Sequence, residues 1–236
     1  MRLFQRLNER IVRQRLSPVA RSVQDQRLTY LRPEKLVRIE RALREAQRDH
    51  VPGDFLEFGV ALGGSSIIIA NTARIQGRRF AGFDVFATIP PPTSAKDDEK
   101  SRRRYAVIAA GRSKGIAGDD YYGYRADLYG DVVRFFEANG LRVDGDRIKL
   151  VKGLFAETWP RHSSPQIAFA HVDCDWYDPV RYCLEAIANA LSVGGAIVID
   201  DYHDYGGSRA AVEEFKSTRE GFRFEDGPNP VLRKVA

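Results

Sequence analysis

The chain has 236 residues, a length that suits one α/β domain with a substantial core rather than two independent domains. Its composition is 43% hydrophobic and 29% charged, which excludes a chain disordered throughout, and no apolar run approaches the roughly 18 residues that a membrane-spanning helix needs. Two cysteines are too few for a disulfide framework and no signal-peptide core follows Met1, so we expect a reducing, cytoplasmic setting.

Much of the formal net charge of +5 comes from two basic stretches. The first, Met1 to Val23, interleaves arginines with apolar residues and predicts one amphipathic helix; the second is Arg102 to Arg104. We expect the helix to pack on its own domain or on a second subunit, with contact to an anionic membrane surface or an acidic substrate as the alternative. Neither stretch carries a nucleic-acid-binding motif, so we expect no nucleic-acid partner.

From Pro33, which suits the first position of a helix, helical patterns and apolar runs alternate along the chain. The predicted strands are Asp54 to Phe58, Phe80 to Phe83, Ile148 to Val151, Ile167 to Val172, Ala196 to Ile199, Phe222 to Phe224 and Val231 to Arg233. The predicted helices after the first strand are Ser65 to Ala73, Asp97 to Ala110, Leu128 to Ala138, Pro179 to Ala190 and Ser208 to Lys216. A polar insertion at about 89–125, rich in glycine and proline, is typical of a lid.

Five strands separated by helices and followed by a hairpin predict a doubly wound, seven-stranded, mostly parallel sheet of the α/β class. We expect an N-terminal helical extension over residues 1–50 and one α/β domain over 51–236 that carries the insertion. Sheets of this kind bind ligands beyond the carboxyl ends of their strands, near the point where the strand order reverses. The motifs described next follow such strand ends.

The first motif is a glycine turn between the first strand and a helix, Glu57-Phe58-Gly59-Val60-Ala61-Leu62-Gly63-Gly64-Ser65-Ser66. Its spacing matches neither the dinucleotide-binding glycine pattern nor a phosphate-binding loop, which needs a lysine. Glycines let the backbone approach a ligand, and the acidic Glu57 beside the turn suits a cationic group such as the aminoacyl end of a sulfonium cofactor. Asp84, at the end of the second strand, could accept hydrogen bonds from ribose hydroxyls.

The most specific pattern is acidic. Asp173 and Asp175 follow one predicted strand, Asp200 and Asp201 follow the next, and one crossover helix separates the two pairs. Adjacent strand ends would bring these carboxylates together, where their repulsion calls for a positive charge between them. A hard divalent cation with oxygen ligands, such as Mg²⁺, meets that need. His203, two residues beyond Asp201, is placed to act with this group.

Two other functional classes stay open at this point. Asp173-Cys174-Asp175 is a D-x-D pattern, which can hold a metal and a nucleotide sugar, so a glycosyltransferase is the alternative enzyme class. That hypothesis leaves Asp200, Asp201 and the glycine turn without a role. The third hypothesis is a non-enzymatic basic module that binds nucleic acid or a membrane, and it rests on net charge alone.

Taken in order, these segments resemble the macrocin O-methyltransferase family, whose members methylate sugar and phenol hydroxyls in antibiotics and related glycoconjugates. The resemblance covers roughly Thr29 to Phe215. The matching segments are Gly53 to Val60 with Gly63 to Ser66, Phe83 to Phe86, Lys152 to Pro160, Val172 to Tyr177, and Gly194 to Tyr202 followed by Gly207, Arg209, Ala211, Val212 and Phe215.

The resemblance implies a Rossmann-like class I methyltransferase fold, S-adenosylmethionine and Mg²⁺ as cofactors, a sugar or phenol acceptor, and a cytoplasmic homodimer. The residues implied to bind the cofactor are Glu57, Gly59, Val60, Gly63, Ser65, Ser66, Asp84 and Asp173, with Asp84 on the ribose. The implied Mg²⁺ ligands are Asp173, Asp200 and Asp201. Asp175 is the favoured general base by this resemblance, and His203 is the other candidate.

Overall fold

The computed structural model of the protein describes residues 9–162 and 166–236. Within them lies one seven-stranded sheet. Its strands are β1 (Asp54–Phe58), β2 (Phe80–Asp84), β3 (Ile148–Lys152), β4 (Ile167–Val172), β5 (Leu191–Ile199), β6 (Phe222–Glu225) and β7 (Val231–Lys234). The sequence predicted all seven, and the one large difference is that β5 begins at Leu191, before its two glycines, rather than at Ala196.

The strand order is β3-β2-β1-β4-β5-β7-β6, and β1 to β5 pair in parallel. Only β7, which lies between β5 and β6, pairs antiparallel with both neighbours. The order reverses between β1 and β4, so the carboxyl ends of these two central strands face the crevice where such sheets bind ligands. The predicted doubly wound, mostly parallel sheet is confirmed.

Helices cover both faces of the sheet. The main helices are Pro18–Asp25, Pro33–Arg48, Gly64–Ile75, Glu99–Ala109, Leu128–Ala138, Tyr177–Ala188 and Gly206–Thr218. One core cluster joins the two N-terminal helices to Gly64–Ile75 and Leu128–Ala138, and the other joins the sheet to Tyr177–Ala188 and Gly206–Thr218. Among the described residues, no helix combines the length and apolar character that crossing a bilayer requires.

The N-terminal segment differs from the single helix predicted from Met1 to Val23. Residues 1–8 of that prediction lie outside the described residues, and residues 9–13 are helical. The helix then breaks, and a new one begins at Pro18, capped by Ser17, whose Oγ accepts a hydrogen bond from the Ala20 N–H at 3.1 Å. The prediction was wrong because a Ser-Pro pair starts a helix more readily than it continues one. The buried side chains of Ala20 and Val23 pack on the chain's own core, the first of the alternatives above.

The insertion at 89–125 contains the helix Glu99–Ala109 and two short 3₁₀ turns. Its attachment to the sheet layer is polar and specific. The Tyr177 N–H donates to Asp97 Oδ1 at 2.8 Å, and the Gly206 N–H donates to Asp98 Oδ2 at 2.9 Å. The Trp176 indole N–H donates to the carbonyl of Pro90 at 2.9 Å. These bonds hold the insertion over the carboxyl ends of β4 and β5.

We expect Ile39→Ala, within helix Pro33–Arg48, to lower the free energy of unfolding by about 2–5 kcal/mol, because the side chain is fully buried in the core shared with the sheet. Ile75→Ala is the matched control: Ile75 also lies on a helix but is 67% exposed, so we expect a change within about 0.5 kcal/mol. Urea unfolding followed by fluorescence and circular dichroism measures both. A separate early transition for the N-terminal helices would contradict a shared core.

Candidate functional site

A cavity of about 1030 Å³ opens above the carboxyl ends of the central strands. Its floor comes from the glycine turn after β1 and from the residues that follow β2, β4 and β5. Side chains of the insertion and of the segment that precedes helix Pro33–Arg48, including Tyr30 and Arg32, complete its walls. Widely separated parts of the chain therefore enclose one space at the position where the strand order reverses.

Gly59 allows β1 and β4 to leave the sheet side by side. The register pairs Phe58 with Val172, so Gly59 lies next to Asp173. A Cβ on Gly59 would lie 1.8 Å from the Asp173 carbonyl oxygen, and the φ of Gly59 is +94°. Only glycine satisfies both conditions. Gly59 and Ala61 are the residues of the turn that face the cavity.

Glu57 and the rest of the turn do not line the cavity. The Glu57 carboxylate points into the protein, where it accepts a short hydrogen bond from Ser66 Oγ and lies 2.7 Å from His171 Nδ1. All three side chains are fully buried. Val60, Gly63 and Ser65 are also buried behind the turn. The structure thus places Glu57 and Ser66 where they shape the turn, and not where the sequence prediction had them in contact with a cofactor.

Asp84 lines the cavity and organises the turn. Its Oδ2 accepts hydrogen bonds from the N–H groups of Val60 at 2.7 Å and Ala61 at 3.1 Å. Its Oδ1 accepts one from the Phe86 N–H at 2.6 Å. A carboxylate has about four lone-pair sites, so one Oδ1 site stays available to a ligand. Burial raises the pKa of Asp84, and these backbone donors oppose that rise.

The predicted acidic cluster forms at the tips of β4 and β5. One oxygen from each of Asp173, Asp200 and Asp201 lies within 4.8 Å of the others. The register pairs Val172 with Ile199, so Asp173 and Asp200 emerge side by side. Removal from water, and then the charges of the neighbouring carboxylates, raise the pKa of Asp173 and Asp201 well above the usual range. Like charges this close disfavour the ionised forms of one another, and a cation between them would favour the carboxylates.

Asp175 lies beside this cluster and lines the same cavity. Its backbone has a φ of +59°, and its N–H donates to Asp201 Oδ2 at 2.9 Å. Removal from water, together with the charge of Asp200, raises the pKa of Asp175 to about 7. A carboxylate with that pKa can accept a proton from a substrate near neutral pH.

Three residues other than glycine near the cavity adopt positive φ angles. Ala61, Phe86 and Asp175 have φ values of +48°, +48° and +59°, and each closely follows the end of a central strand. Residues with a Cβ rarely adopt this conformation, and such strain concentrates at functional sites.

Lys35 is a residue of the site that the sequence analysis did not identify. Its Nζ lies 2.7 Å from Asp200 Oδ2 and 2.9 Å from Asp204 Oδ2, and it donates to the Asp200 carbonyl at 3.0 Å. Burial lowers the pKa of Lys35, but the contacts with Asp200 and Asp204 outweigh burial, and the net pKa is raised. The available signal was its helical position, because Lys35 shares a face with Ile39, which is apolar and buried.

His203 does not lie with the acidic cluster. Its ring Nε2 is 3.0 Å from the Gly227 carbonyl and 3.3 Å from Asp226 Oδ1, and its side chain is 42% exposed. It is absent from the cavity lining. The prediction that His203 could serve as general base is therefore corrected: the turn after Asp201 directs the ring towards the loop between β6 and β7.

Aromatic side chains line another part of the cavity. The rings of Tyr121 and Tyr122, from the insertion, have centroids 4.3 Å apart. The rings of Trp176 and Tyr205, from the tips of β4 and β5, are 5.1 Å apart. Arg104 adds a positive charge, with its guanidinium carbon 5.6 Å from the Tyr121 ring centre. Such surfaces bind the faces of sugars and planar rings.

Comparison with known proteins identifies relatives of this chain. The sequence profile of the macrocin-O-methyltransferase (TylF) family matches residues 9–141 and 130–221. The chain is 31% identical over 171 residues to the 8-demethyl-8-(2,3-dimethoxy-alpha-L-rhamnosyl)-tetracenomycin-C 4'-O-methyltransferase of Streptomyces olivaceus, covering 67% of this chain and 60% of that protein. It is 26% identical to the demethyldecarbamoylnovobiocin O-methyltransferase of Streptomyces niveus, covering 78% of this chain and 65% of that protein. The chain thus spans less than two thirds of both relatives.

A solved structure supports the fold assignment. The O-methyltransferase NovP superposes with a TM-score of 0.72 at 22% sequence identity, covering 89% of this chain and 83% of that one. Its similarity shows that this chain and NovP share one fold, a Rossmann-like sheet with helices on both faces.

We expect Gly59→Ala to destabilise the protein much more than Gly77→Ala. Both glycines have positive φ, but a Cβ at Gly77 meets nothing within 4 Å, whereas one at Gly59 overlaps the Asp173 carbonyl. The Gly77 variant should lose about 1–2 kcal/mol from backbone strain alone, and the Gly59 variant well beyond that. Equal losses in urea unfolding would contradict the close approach of the β1 and β4 tips.

Proposed function

Because the chain belongs to the macrocin-O-methyltransferase (TylF) family, we propose that it transfers the methyl group of S-adenosylmethionine to a hydroxyl of a sugar or phenol, with Mg²⁺ bound at the acidic cluster. The observation that carries this proposal is the placement of three carboxylates within 4.8 Å of one another in the same cavity as the glycine turn. The Streptomyces olivaceus relative is named for methylation of a rhamnosyl antibiotic, which supports a glycoside acceptor.

The donor side of the proposed site lies at the glycine turn. Gly59 and Ala61 present the backbone of the turn to the cavity there, where a ligand can contact it. The free lone-pair site of Asp84 Oδ1 is placed to accept a hydrogen bond from a ribose hydroxyl. S-adenosylmethionine bound there would supply the methyl group. Glu57 and Ser66 contribute indirectly, because they hold the turn from behind.

The acidic cluster fits a magnesium ion. Its donors are carboxylate oxygens, the hard ligands that Mg²⁺ prefers. Asp200 Oδ1 is buried and has no hydrogen-bond partner among the described residues, as expected for an oxygen reserved for a cation. Mg²⁺ held by Asp173, Asp200 and Asp201 would bind acceptor oxygens and lower the pKa of the hydroxyl to be methylated.

Asp175 is the general base in this proposal. It borders the cluster without belonging to the group of three, so its carboxylate is available to take the hydroxyl proton. The bond from its backbone N–H to Asp201 fixes its position relative to the cluster. Its pKa of about 7 suits proton transfer under neutral conditions. His203 has no part in this proposal, because its ring contacts Gly227 and does not line the cavity.

The insertion at 89–125 serves as the lid over the acceptor. Its tyrosines and Arg104 form part of the cavity wall, and Asp97 and Asp98 attach it to the helices that follow β4 and β5. A covered site excludes water and orients the acceptor hydroxyl, and orientation alone can supply roughly 7–11 kcal/mol of the barrier reduction. Tyr30 and Arg32 make the N-terminal segment part of the same enclosure.

The cellular setting and assembly are also proposals. Cys174 and Cys183 are buried free thiols, which supports a reducing, cytoplasmic location. Resemblance to the family supports a homodimer.

The direct test of the reaction is mass spectrometry of methyl transfer to a panel of glycosides and phenols, with S-adenosylmethionine and Mg²⁺. We expect an acceptor mass increase of one methylene. A thermal-shift screen separates the enzyme classes: stabilisation by S-adenosylhomocysteine favours the methyltransferase, and stabilisation by a nucleoside diphosphate alone favours the glycosyltransferase alternative. Absence of both methylated product and S-adenosylhomocysteine binding would overturn the proposal.

We expect Asp200→Asn to abolish nearly all turnover, and EDTA to do the same to the wild-type protein until Mg²⁺ is restored. The reason is that an amide at this position removes a charged ligand from the group of three. Asp146→Asn is the control and should keep full activity, because the Asp146 side chain is 70% exposed and does not line the cavity. Undiminished turnover in metal-free buffer would rule out a catalytic cation.

We expect Asp175→Asn to lower the turnover rate by about 100- to 10,000-fold while Mg²⁺ affinity stays near the wild-type value. The substitution removes the proton acceptor but keeps the backbone N–H that donates to Asp201. Steady-state rates and calorimetric Mg²⁺ titration measure the two effects separately. Wild-type turnover in this variant would exclude Asp175 as the base.

A further inference from the structure

We infer that Lys35 is a positioning residue for the metal site. It holds Asp200 in the orientation that binds the cation, and so makes helix Pro33–Arg48 part of that site. This inference rests on the proposed function. It is independent of the acceptor's identity, because it concerns only residues of this chain. Lys35 and Asp200 are separated by 165 positions in the sequence.

The contacts of Lys35 fix Asp200 at two points. Its ammonium group has three donors, and the structure gives it three acceptors: Asp200 Oδ2, the Asp200 carbonyl and Asp204 Oδ2. The first two bonds restrain the side chain and the backbone of Asp200 together. The Lys35 and Asp200 side chains are only 8% and 7% exposed, so little water competes for these bonds.

The two carboxylate oxygens of Asp200 are used differently. Oδ2 is occupied by Lys35, whereas Oδ1 is buried with no hydrogen-bond partner among the described residues. His171 Nε2 lies 4.0 Å from Oδ1 and likewise has no hydrogen-bond partner in the described part of the chain. His171 is itself held by Glu57. Lys35 therefore fixes one oxygen and leaves the other available as a ligand.

A purely structural role for Lys35 explains these features less well. Helix Pro33–Arg48 already has buried apolar anchors, including Leu36 and Ile39. Burying an ammonium group is costly, and an apolar residue often stabilises a core position as well or better. The Lys35 ammonium group contacts Asp200, a candidate metal ligand, and this position points to a role in the site.

A positioning role and a purely electrostatic role for Lys35 predict opposite changes in Mg²⁺ affinity, and this difference provides the test. If Lys35 acted only through its charge, Lys35→Met would make the cluster more negative and Mg²⁺ would bind more tightly. If Lys35 positions Asp200, the same variant frees the carboxylate and Mg²⁺ binds more weakly. Loss of groups that orient metal ligands typically weakens affinity by about 10- to 100-fold, and we expect a loss in that range. Calorimetric titration with Mg²⁺ in the presence of S-adenosylhomocysteine measures it without turnover.

The double variant Lys35→Met with Asp204→Asn sharpens the comparison. It removes one positive and one negative charge, so the net charge near the cluster equals that of the wild type. We expect Mg²⁺ affinity to stay reduced, because Asp200 still lacks its restraint. Recovery of wild-type affinity in the double variant, or tighter or unchanged binding in Lys35→Met, would overturn the inference.

Lys35→Arg covers the case in which the methionine variant does not fold. It keeps the positive charge but replaces the ammonium by a planar fork with different geometry, so we expect weaker Mg²⁺ binding, and wild-type affinity would contradict positioning. Lys216→Met is the matched control, since Lys216 also pairs with a carboxylate but lies outside the cavity lining. Wild-type protein that binds no Mg²⁺ would refute the proposed metal site itself, whereas equal binding by wild-type and Lys35 variants would refute only the inference.

Discussion

Negative charge gathered at the tips of two parallel strands is the constraint on which the rest of the site depends. Pairing of β4 with β5 places Asp173 beside Asp200, and the adjacent Asp201 completes a group whose oxygens lie within 4.8 Å of one another. Their mutual repulsion opposes folding, and the fully buried residues beneath them, such as Val172 and Ile199, keep the strand tips together. In the proposed function, a bound cation would allow all three to remain carboxylates in this position.

The parts of the chain that surround this charge come from far apart in the sequence. Lys35 contacts the cluster from helix Pro33–Arg48, and Tyr121 and Arg104 border the cavity from the insertion. Gly59 brings the glycine turn against the backbone of Asp173. This arrangement joins the glycine turn, the acidic cluster and the aromatic wall in one cavity.

Sequence reasoning succeeded where local patterns determine the outcome. Apolar runs located all seven strands. Two parallel neighbouring strands joined by one crossover helix brought Asp173 and Asp200 together as expected. It failed where side-chain direction decides. His203 is close to Asp201 in the sequence, yet its ring turns towards Gly227. Spacing cannot report such a direction, and it cannot report a contact like that of Lys35, which depends on how a distant helix packs.

The account is tested most directly by a crystal structure grown with S-adenosylhomocysteine and Mn²⁺, in which anomalous scattering locates the ion. We expect one ion bound by Asp173, Asp200 and Asp201, with the cofactor's ribose at Asp84 in the same cavity. An ion bound elsewhere, or none at this cluster while the cofactor occupies its site, would contradict the claim that these three carboxylates form the metal centre.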